Sequence, residues 1–500
     1  MSIPTTKIDL LCGWPNPALL PAPDLLRSAS DVLTVPSIAH PALLYGPDEG
    51  WEPLRTHIAQ WLTSFYQPCH PISPQRICIT GGASQNLACV LQVFTDPLYT
   101  RNVWMVDPTF HLAGRVIDDS GFATRVRGVP EDEEGFDLDF LESGLRAAEE
   151  KATTDGNTEP GRGKNSNDID HCYPPVPAVT IKPPRPWRKI YKHVVYLVPT
   201  FANPSGKIMS LGHRERLVRI ARKYDALLVS DDVYDSLQWP STAGDETTST
   251  DHAIFPRLVD VDRYLDGGPV DDWGHALSNG SFSKLIGPGT RTGWAEASEK
   301  VAYGLSQVGS SRSGGAPSQL CAAMISSLIE TNFLEPHIRH TLRKAYCERY
   351  HLMMSAIHEH LVPLGVTVPA TSYPVAGGYF IWITLPSPLS AVEVVKRAQN
   401  EQNLRLAPGD LFQVVGDKQA DPARFTNNIR LCFAWEELRH LDEGILPTVM
   451  TIPKHSVIKN LNVLRDLDPP RPGMSIHSSN TPDNQTTTLT RPLTLPAHTQ

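Results

Sequence analysis

The sequence predicts an α/β protein: a larger domain built on a mainly parallel sheet flanked by helices, then a smaller C-terminal α/β domain. Three observations predict it. Short apolar runs alternate with stretches of helical periodicity from about residue 45 to residue 331. Runs such as Val194-Val195-Tyr196-Leu197-Val198 have no polar face, as strands covered on both sides require. Most of them stop at Gly, Pro or Asp, the residues that turn a chain out of a sheet.

Taken in order, Arg76-Ile77-Cys78-Ile79-Thr80 reads as a strand ending at Gly81-Gly82. Leu87, Val90, Leu91 and Phe94 then recur at helical spacing. Val103-Trp104-Met105-Val106 is a second strand, stopped by Asp107-Pro108, and Val194 to Val198 a third, stopped by Pro199. A polar-faced helix from about Leu211 to Tyr224 leads into Ala226-Leu227-Leu228-Val229, a strand ending at Ser230-Asp231-Asp232. In such sheets ligands gather at the C-terminal strand ends. A long helix and β-rich segments such as Tyr379-Phe380-Ile381-Trp382-Ile383 indicate the smaller domain.

These patterns divide the chain into an N-terminal segment (1–44), a large domain (45–331), a small domain (332–465) and a tail (466–500) expected to be disordered. Residues 152–188, rich in Asn and Pro and poor in aliphatics, predict a flexible surface insertion, and Ser241 to Thr250 a shorter polar one. The chain is 40% hydrophobic and 20% charged, which is globular rather than disordered. A net charge of -9 without a dense basic patch argues against nucleic acid or an anionic membrane as partner, and no apolar run is long enough to span a bilayer. Eight cysteines without CxxC spacing suggest buried thiols in a reducing compartment, neither a metal site nor a disulfide framework, and no signal layout opens the chain; the cytoplasm is the expected location.

Chemistry concentrates at the strand ends. Ser281-Phe282-Ser283-Lys284 follows a strand, and Arg291 lies seven residues beyond the lysine. A lysine among small and apolar neighbours loses charge and can act as a neutral amine toward an aldehyde. Nearby hydroxyls and a guanidinium suit a phosphate-bearing cofactor. Alone, this segment would describe an ordinary loop; its company decides. Gly82-Ala83-Ser84 opens a helix, where free amides and the helix dipole favour an anion. Asn203 sits in an Asn-Pro-Ser-Gly turn, and Asp231 and Tyr234 are spaced D-x-x-Y.

These motifs, in this order, resemble the class I/II aminotransferases among the fold-type I pyridoxal-phosphate (PLP) enzymes, in the branch with 2-aminoadipate and related broad-specificity aminotransferases. The resemblance covers roughly residues 9–450 apart from the insertions. It implies a fold-type I PLP-dependent transferase moving an amino group between an L-amino acid and a 2-oxo acid by a ping-pong mechanism. Lys284 would carry pyridoxal 5'-phosphate as a Schiff base, and Gly82, Ala83, Ser84, Ser281, Ser283 and Arg291 would hold its phosphate. Phe110 would stack on the ring, Asn203 and Tyr234 would reach its phenolic oxygen, and Asp231 would hold the ring nitrogen protonated, with Asp232 competing for that role or standing behind it. Arg430, in Asn428-Ile429-Arg430-Leu431, matches the arginine that grips the substrate α-carboxylate. Gly13 and Trp14 would line the substrate pocket, and Tyr45 would reach the phosphate of a neighbouring subunit, which makes a homodimer the expected assembly. The same apparatus supports a PLP-dependent lyase as the alternative reaction. A repressor with a winged helix fused to this fold is a third reading; motifs starting at Asp9 to Trp14 leave it no room.

Overall fold

The computed structural model describes residues 7–154, 181–315, 317–369, 373–417, 420–421 and 423–451, the last six of these as backbone only. At its centre lies a seven-stranded sheet: β1 (Ile77–Thr80), β2 (Asn102–Asp107), β3 (Val126–Pro130), β4 (His193–Leu197), β5 (Ala226–Asp231), β6 (Ala276–Ser281) and β7 (Gly293–Glu296). The spatial order is β1-β7-β6-β5-β4-β2-β3. Neighbours are parallel from β3 across to β6, whereas β7 runs antiparallel to both β6 and β1. β1, β2, β4, β5 and β6 therefore end at one edge of the sheet, and β7 begins there.

Every residue of β4, β5 and β6 is buried. Alternation sends Val194, Tyr196, Leu227 and Val229 into the apolar layer on one face and Val195, Leu197, Ala226 and Leu228 into the layer on the other. Two strands escape a sequence reading. Val126-Arg127-Gly128-Val129-Pro130 carries an arginine, a glycine and a proline, tolerated because β3 is the edge. Gly293-Trp294-Ala295-Glu296 is short and ends in a carboxylate that is buried in an ion pair.

Ahead of β1, the helix Glu52–Tyr66 packs Leu54, Ile58 and Leu62 into a third apolar cluster, which also holds Trp239, Ile381 and Leu431. This cluster runs across the boundary expected near residue 331, where the helix Gln319–Glu330 gives way to the helical stretch that starts at Leu334. Beyond it, Phe380–Thr384, Ala407–Pro408 and Asn428–Cys432 form a three-stranded antiparallel sheet, with Arg430 opposite both Trp382 and Ala407. Ile8–Asp9 pairs in parallel with Leu404–Arg405, and Leu10 O accepts from Cys432 N at 2.8 Å, which anchors the N-terminal segment here.

The helix Leu138–Thr154 runs into the expected insertion, of which residues 155–180 lie outside the described residues, as does the tail 466–500. After it, Lys182 Nζ donates to Gln92 O at 2.6 Å and to Thr95 O, at the C-terminal end of the helix Ala83–Phe94, where a cation is favoured.

Beneath the sheet, fully buried Arg257 pairs with Asp260 at 2.9 Å and Glu296 at 2.8 Å, and Glu296 also holds Arg76 at 2.8 Å. Removing one partner strands a desolvated charge. Arg257→Met is expected to destabilise the protein by about 3–5 kcal/mol. Urea unfolding followed by circular dichroism measures it; a midpoint equal to that of the wild type would mean the cluster carries no stability.

Candidate active site

The strand ends converge on a cavity of about 570 Å³ lined by Ala83, Ser84, Phe110, Asn203, Asp231, Tyr234, Ser281, Ser283, Lys284, Arg291, Arg430, Gly13 and Trp14 among others. Its first wall is built for an anion. β1 ends in Gly81-Gly82, and Gly82, at φ +96°, starts the helix Ala83–Phe94 without a side-chain cap. At that φ a side chain would be strained, so glycine is needed for conformation, and a Cβ there would push on Arg291 Nη2, 2.9 Å away. The uncapped amides of this first turn and the helix dipole make a site for negative charge. Arg291 Nη2 donates to Gly81 O at 2.6 Å, Ser281 Oγ donates to Ser283 Oγ at 2.8 Å, and the buried pair Asn86–Asn279 ties the helix start to β6.

β5 and β6 supply the floor. Asp231 ends β5, buried, with Oδ2 accepting from the Tyr196 hydroxyl at 2.8 Å and Oδ1 lacking any partner among the described residues. Burial pushes its carboxyl up to about 7 against the Tyr196 bond, with Asp232 raising it further and Lys284 lowering it. Asp232 points elsewhere: its oxygens accept from the hydroxyls of Ser230 and Ser278, and Arg257 is its chief countercharge. Lys284 closes the single turn after β6, and its Nζ donates to Gly13 O at 2.8 Å, 5.2 Å from the Tyr379 ring centroid and 5.8 Å from that of Tyr234. Burial drives its pKa down to about 8; Cys432 and Asp231 oppose the shift and Arg430 adds to it. The Tyr234 phenol is pushed up by burial.

The third wall belongs to the smaller sheet. Arg430 is sandwiched over Phe380 and Phe412, with its guanidinium carbon 4.0 and 4.6 Å from the ring centroids. Nη1 donates to Asn203 Oδ1 at 2.9 Å and Nη2 to Leu11 O at 2.6 Å, while Nε is buried without a partner among the described residues. The rings and the fork fix the guanidinium plane, which suits bidentate carboxylate recognition.

Gly82 stands just behind this lining, against Arg291, and Phe110 enters it from the turn after β2. Trp14 sits edge-on to Trp435 at 5.5 Å and is 58% exposed. Tyr45 alone among the expected site residues is away from the cavity: it is 88% exposed, and its ring lies against Gly314. Sequence reading missed Tyr196, Tyr379, Phe380, His111, Cys12 and Arg405. Tyr196 and Phe380 sit inside apolar strand runs that read as core, and nothing local distinguishes Arg405. No cluster of three or more metal-ligating side chains occurs among the described residues.

A family model for aminotransferase class I and II matches residues 16–445. An uncharacterized protein of Saccharomyces cerevisiae is 32% identical over 479 residues, spanning 91% of this chain and 99% of that protein. Aromatic-amino-acid aminotransferase 1 of Thermococcus litoralis is 26% identical over 456 residues, spanning 89% and 88%. Among solved structures, the alpha-aminoadipate aminotransferase LysN of Thermus thermophilus, complexed with N-(5'-phosphopyridoxyl)-L-leucine, aligns with a TM-score of 0.66 at 25% identity, covering 91% of this chain and 93% of that one.

The depressed Lys284 amine has a direct consequence. Reductive labelling of the cofactor-free protein with an aromatic aldehyde, quantified on the peptide carrying Lys284, is expected to rise with a midpoint near pH 8. A profile centred on the ordinary lysine value of 10.5 would contradict the desolvated setting described for this amine.

Proposed function

The chain belongs to the class I and II aminotransferase family and is a PLP-dependent aminotransferase, and from that premise we propose that Lys284, Asp231, Tyr234, Asn203 and Arg430 do its chemistry. The observation that carries the assignment is the pairing of an amine and a carboxylate, both desolvated at the ends of adjacent strands, with one Asp231 oxygen left unpartnered.

The residues fit the cofactor on two counts. A buried, unpartnered carboxylate oxygen calls for a proton donor, and a protonated pyridine nitrogen is one. The amides after Gly82, with Ser281, Ser283 and Arg291, suit a phosphate. When bound, pyridoxal 5'-phosphate supplies an aldehyde that condenses with amines and a ring that draws electrons from the adjoining carbon.

The chain's own residues do the rest. Lys284 Nζ would hold the aldehyde between turnovers and, with a pKa near 8, has enough free amine near neutral pH to take the substrate Cα proton. Asp231, whose charge is costly with one oxygen unpartnered, would keep its counter-proton on the ring nitrogen. Tyr234 and Asn203, which line the cavity, would orient the ring's phenolic oxygen, and Phe110 would cover a ring face. Arg430, preset between Phe380 and Phe412, binds the α-carboxylate of amino acid and 2-oxo acid alike, so one pocket serves both halves of the exchange. Gly13 and Trp14 close the substrate side.

The working assembly we propose is a homodimer. Leu26, Leu33, Ile38 and Leu43 on the helices Ala22–Thr34 and Pro36–Leu43, with Val35 and Leu44 at their ends, are exposed and lead directly to Tyr45. A second copy covering this face would bring Tyr45 to the other subunit's phosphate wall. The seven described cysteines, all unpaired, suit a reducing compartment, and the cytoplasm is proposed on that ground.

A panel of amino donors with 2-oxoglutarate tests the reaction: glutamate and the matching 2-oxo acid should appear in equal amounts, whereas ammonia release without glutamate would mark elimination instead. Lys284→Ala should cost about 10³-fold or more in kcat, and Arg430→Ala about 100-fold in kcat/KM for every α-carboxylate substrate. Tyr45→Phe should weaken cofactor retention, seen by absorbance after gel filtration; unaltered retention would remove Tyr45 from the site.

A further inference from the structure

Behind the cavity, one buried carboxylate holds the turn on which a site residue rides, and the chemistry given above leaves it without a part. Glu131 follows β3, the edge strand, and its side chain is 7% exposed. We propose that Glu131 is a positioning residue: through Ser205 it fixes the turn that carries Asn203, and so sets how that amide meets the cofactor's phenolic oxygen. This rests on the role assigned to Asn203 above and deepens it by naming what holds that side chain in place.

The turn is short and closed on itself. Gly206 N–H donates to Ala202 O at 2.7 Å, and Ala202 N–H to Lys207 O at 3.0 Å. Among the described residues, two side chains from outside reach residues 202–206 by hydrogen bonds. From the smaller sheet, Arg430 Nη1 donates to Asn203 Oδ1 at 2.9 Å. From the end of β3, Glu131 Oε1 accepts from the buried Ser205 Oγ at 2.7 Å. An arginine can only donate, so it takes the amide oxygen of Asn203 and leaves Nδ2 as the group able to donate to an acceptor in the cavity. The aim of Nδ2 then depends on the backbone at 203, and Glu131 grips that backbone two residues further on.

Glu131 is secured from the same side. Its Oε2 lies 3.5 Å from Lys207 Nζ, which donates to Asp132 O at 2.6 Å. Burial pushes the carboxyl up to about 7, while Lys207 and Ser205 hold it down and Asp107 raises it. Either protonation state leaves an oxygen that accepts from Ser205. An apolar side chain would fill this place without desolvating a carboxylate, but it would leave the Ser205 hydroxyl buried without that acceptor. The acids that follow brace the next helix instead: Asp132 meets His213 at 3.1 Å, and Glu134 meets His213 and Ser210 at the start of the helix Leu211–Tyr224. Glu131 alone of this run turns toward the Asn203 turn with its side chain buried.

The test is a pH titration of the holoenzyme's visible cofactor band, whose midpoint reports the proton shared between the Schiff base and the phenolic oxygen. When that oxygen loses a donor it holds the proton more tightly, and the midpoint rises. Glu131→Leu and Ser205→Ala should each raise it by about 0.5–1 pH unit, the worth of one hydrogen bond. The double variant should shift no further than either single one, because both break the same link. Glu131→Gln, which still accepts from Ser205, should stay within about 0.2 unit of wild type. Thermal melting is recorded alongside, since a mere strap would lower Tm and leave the midpoint alone. Ser205→Ala, the mildest change, decides the matter even if Glu131→Leu fails to fold: an unmoved midpoint in it would overturn the proposal. Shifts that add in the double variant, or a Glu131→Gln shift as large as that of Glu131→Leu, would overturn it too. Asn203→Ala is the control for the reading beneath: a midpoint equal to wild type there would bring down the role of Asn203 itself.

Discussion

Two charges that water would normally solvate are buried within mutual influence, and the molecule is arranged around that cost. Asp231 and Lys284 stand at the ends of β5 and β6, strands paired in register through Asp231 and Asn279. Desolvation raises one group and lowers the other, so both sit near neutrality, where small changes in partner move protons. The sheet makes this possible because its parallel core is covered on both faces and its C-terminal edge opens to a cavity. Asp232, one residue on, is engaged behind the strand by serine hydroxyls and by the Arg257 cluster. Adjacent aspartates have thus been divided, one toward the cavity and one toward the scaffold.

A second constraint joins the two sheets. Alternate residues of the N-terminal segment meet three cavity cations: the Asp9 carboxylate meets Arg405, Leu11 O accepts from Arg430, and Gly13 O accepts from Lys284. A single short segment thus touches three subsites of the cavity, those of Arg405, Arg430 and Lys284. Gly13 is required at its position: a Cβ there would come within 2.8 Å of Phe380, the ring beneath Arg430. Changes in this segment should therefore register at all three subsites at once.

Much of this was legible in the sequence because the relevant patterns are local. Lys284 with Arg291, Asp231 with Tyr234, Asn203 in its turn and Gly82 before its helix each carry their signal within about ten residues. The apolar runs of β2, β4 and β5 are buried on both faces and could hardly be read otherwise. What stayed hidden depends on distant partners. Arg405 gains its meaning from Asp9, 396 positions away, and Tyr196 from Asp231 in the neighbouring strand. Phe380 read as part of an apolar strand, yet with Phe412 it forms the clamp on Arg430. β7 was obscured because its close approach to β6 needs a glycine: a Cβ on Gly293 would lie 2.5 Å from Gly280 O, and that requirement breaks the apolar run.

The central claim is that the amine at position 284 is the cofactor's covalent anchor. Borohydride treatment of the cofactor-loaded protein, followed by proteolysis and mass spectrometry, tests it in one measurement. The account predicts a single pyridoxyl adduct, on Lys284 in the segment between Ser281 and Arg291. An adduct on any other lysine, or a loaded protein that yields none, would contradict it.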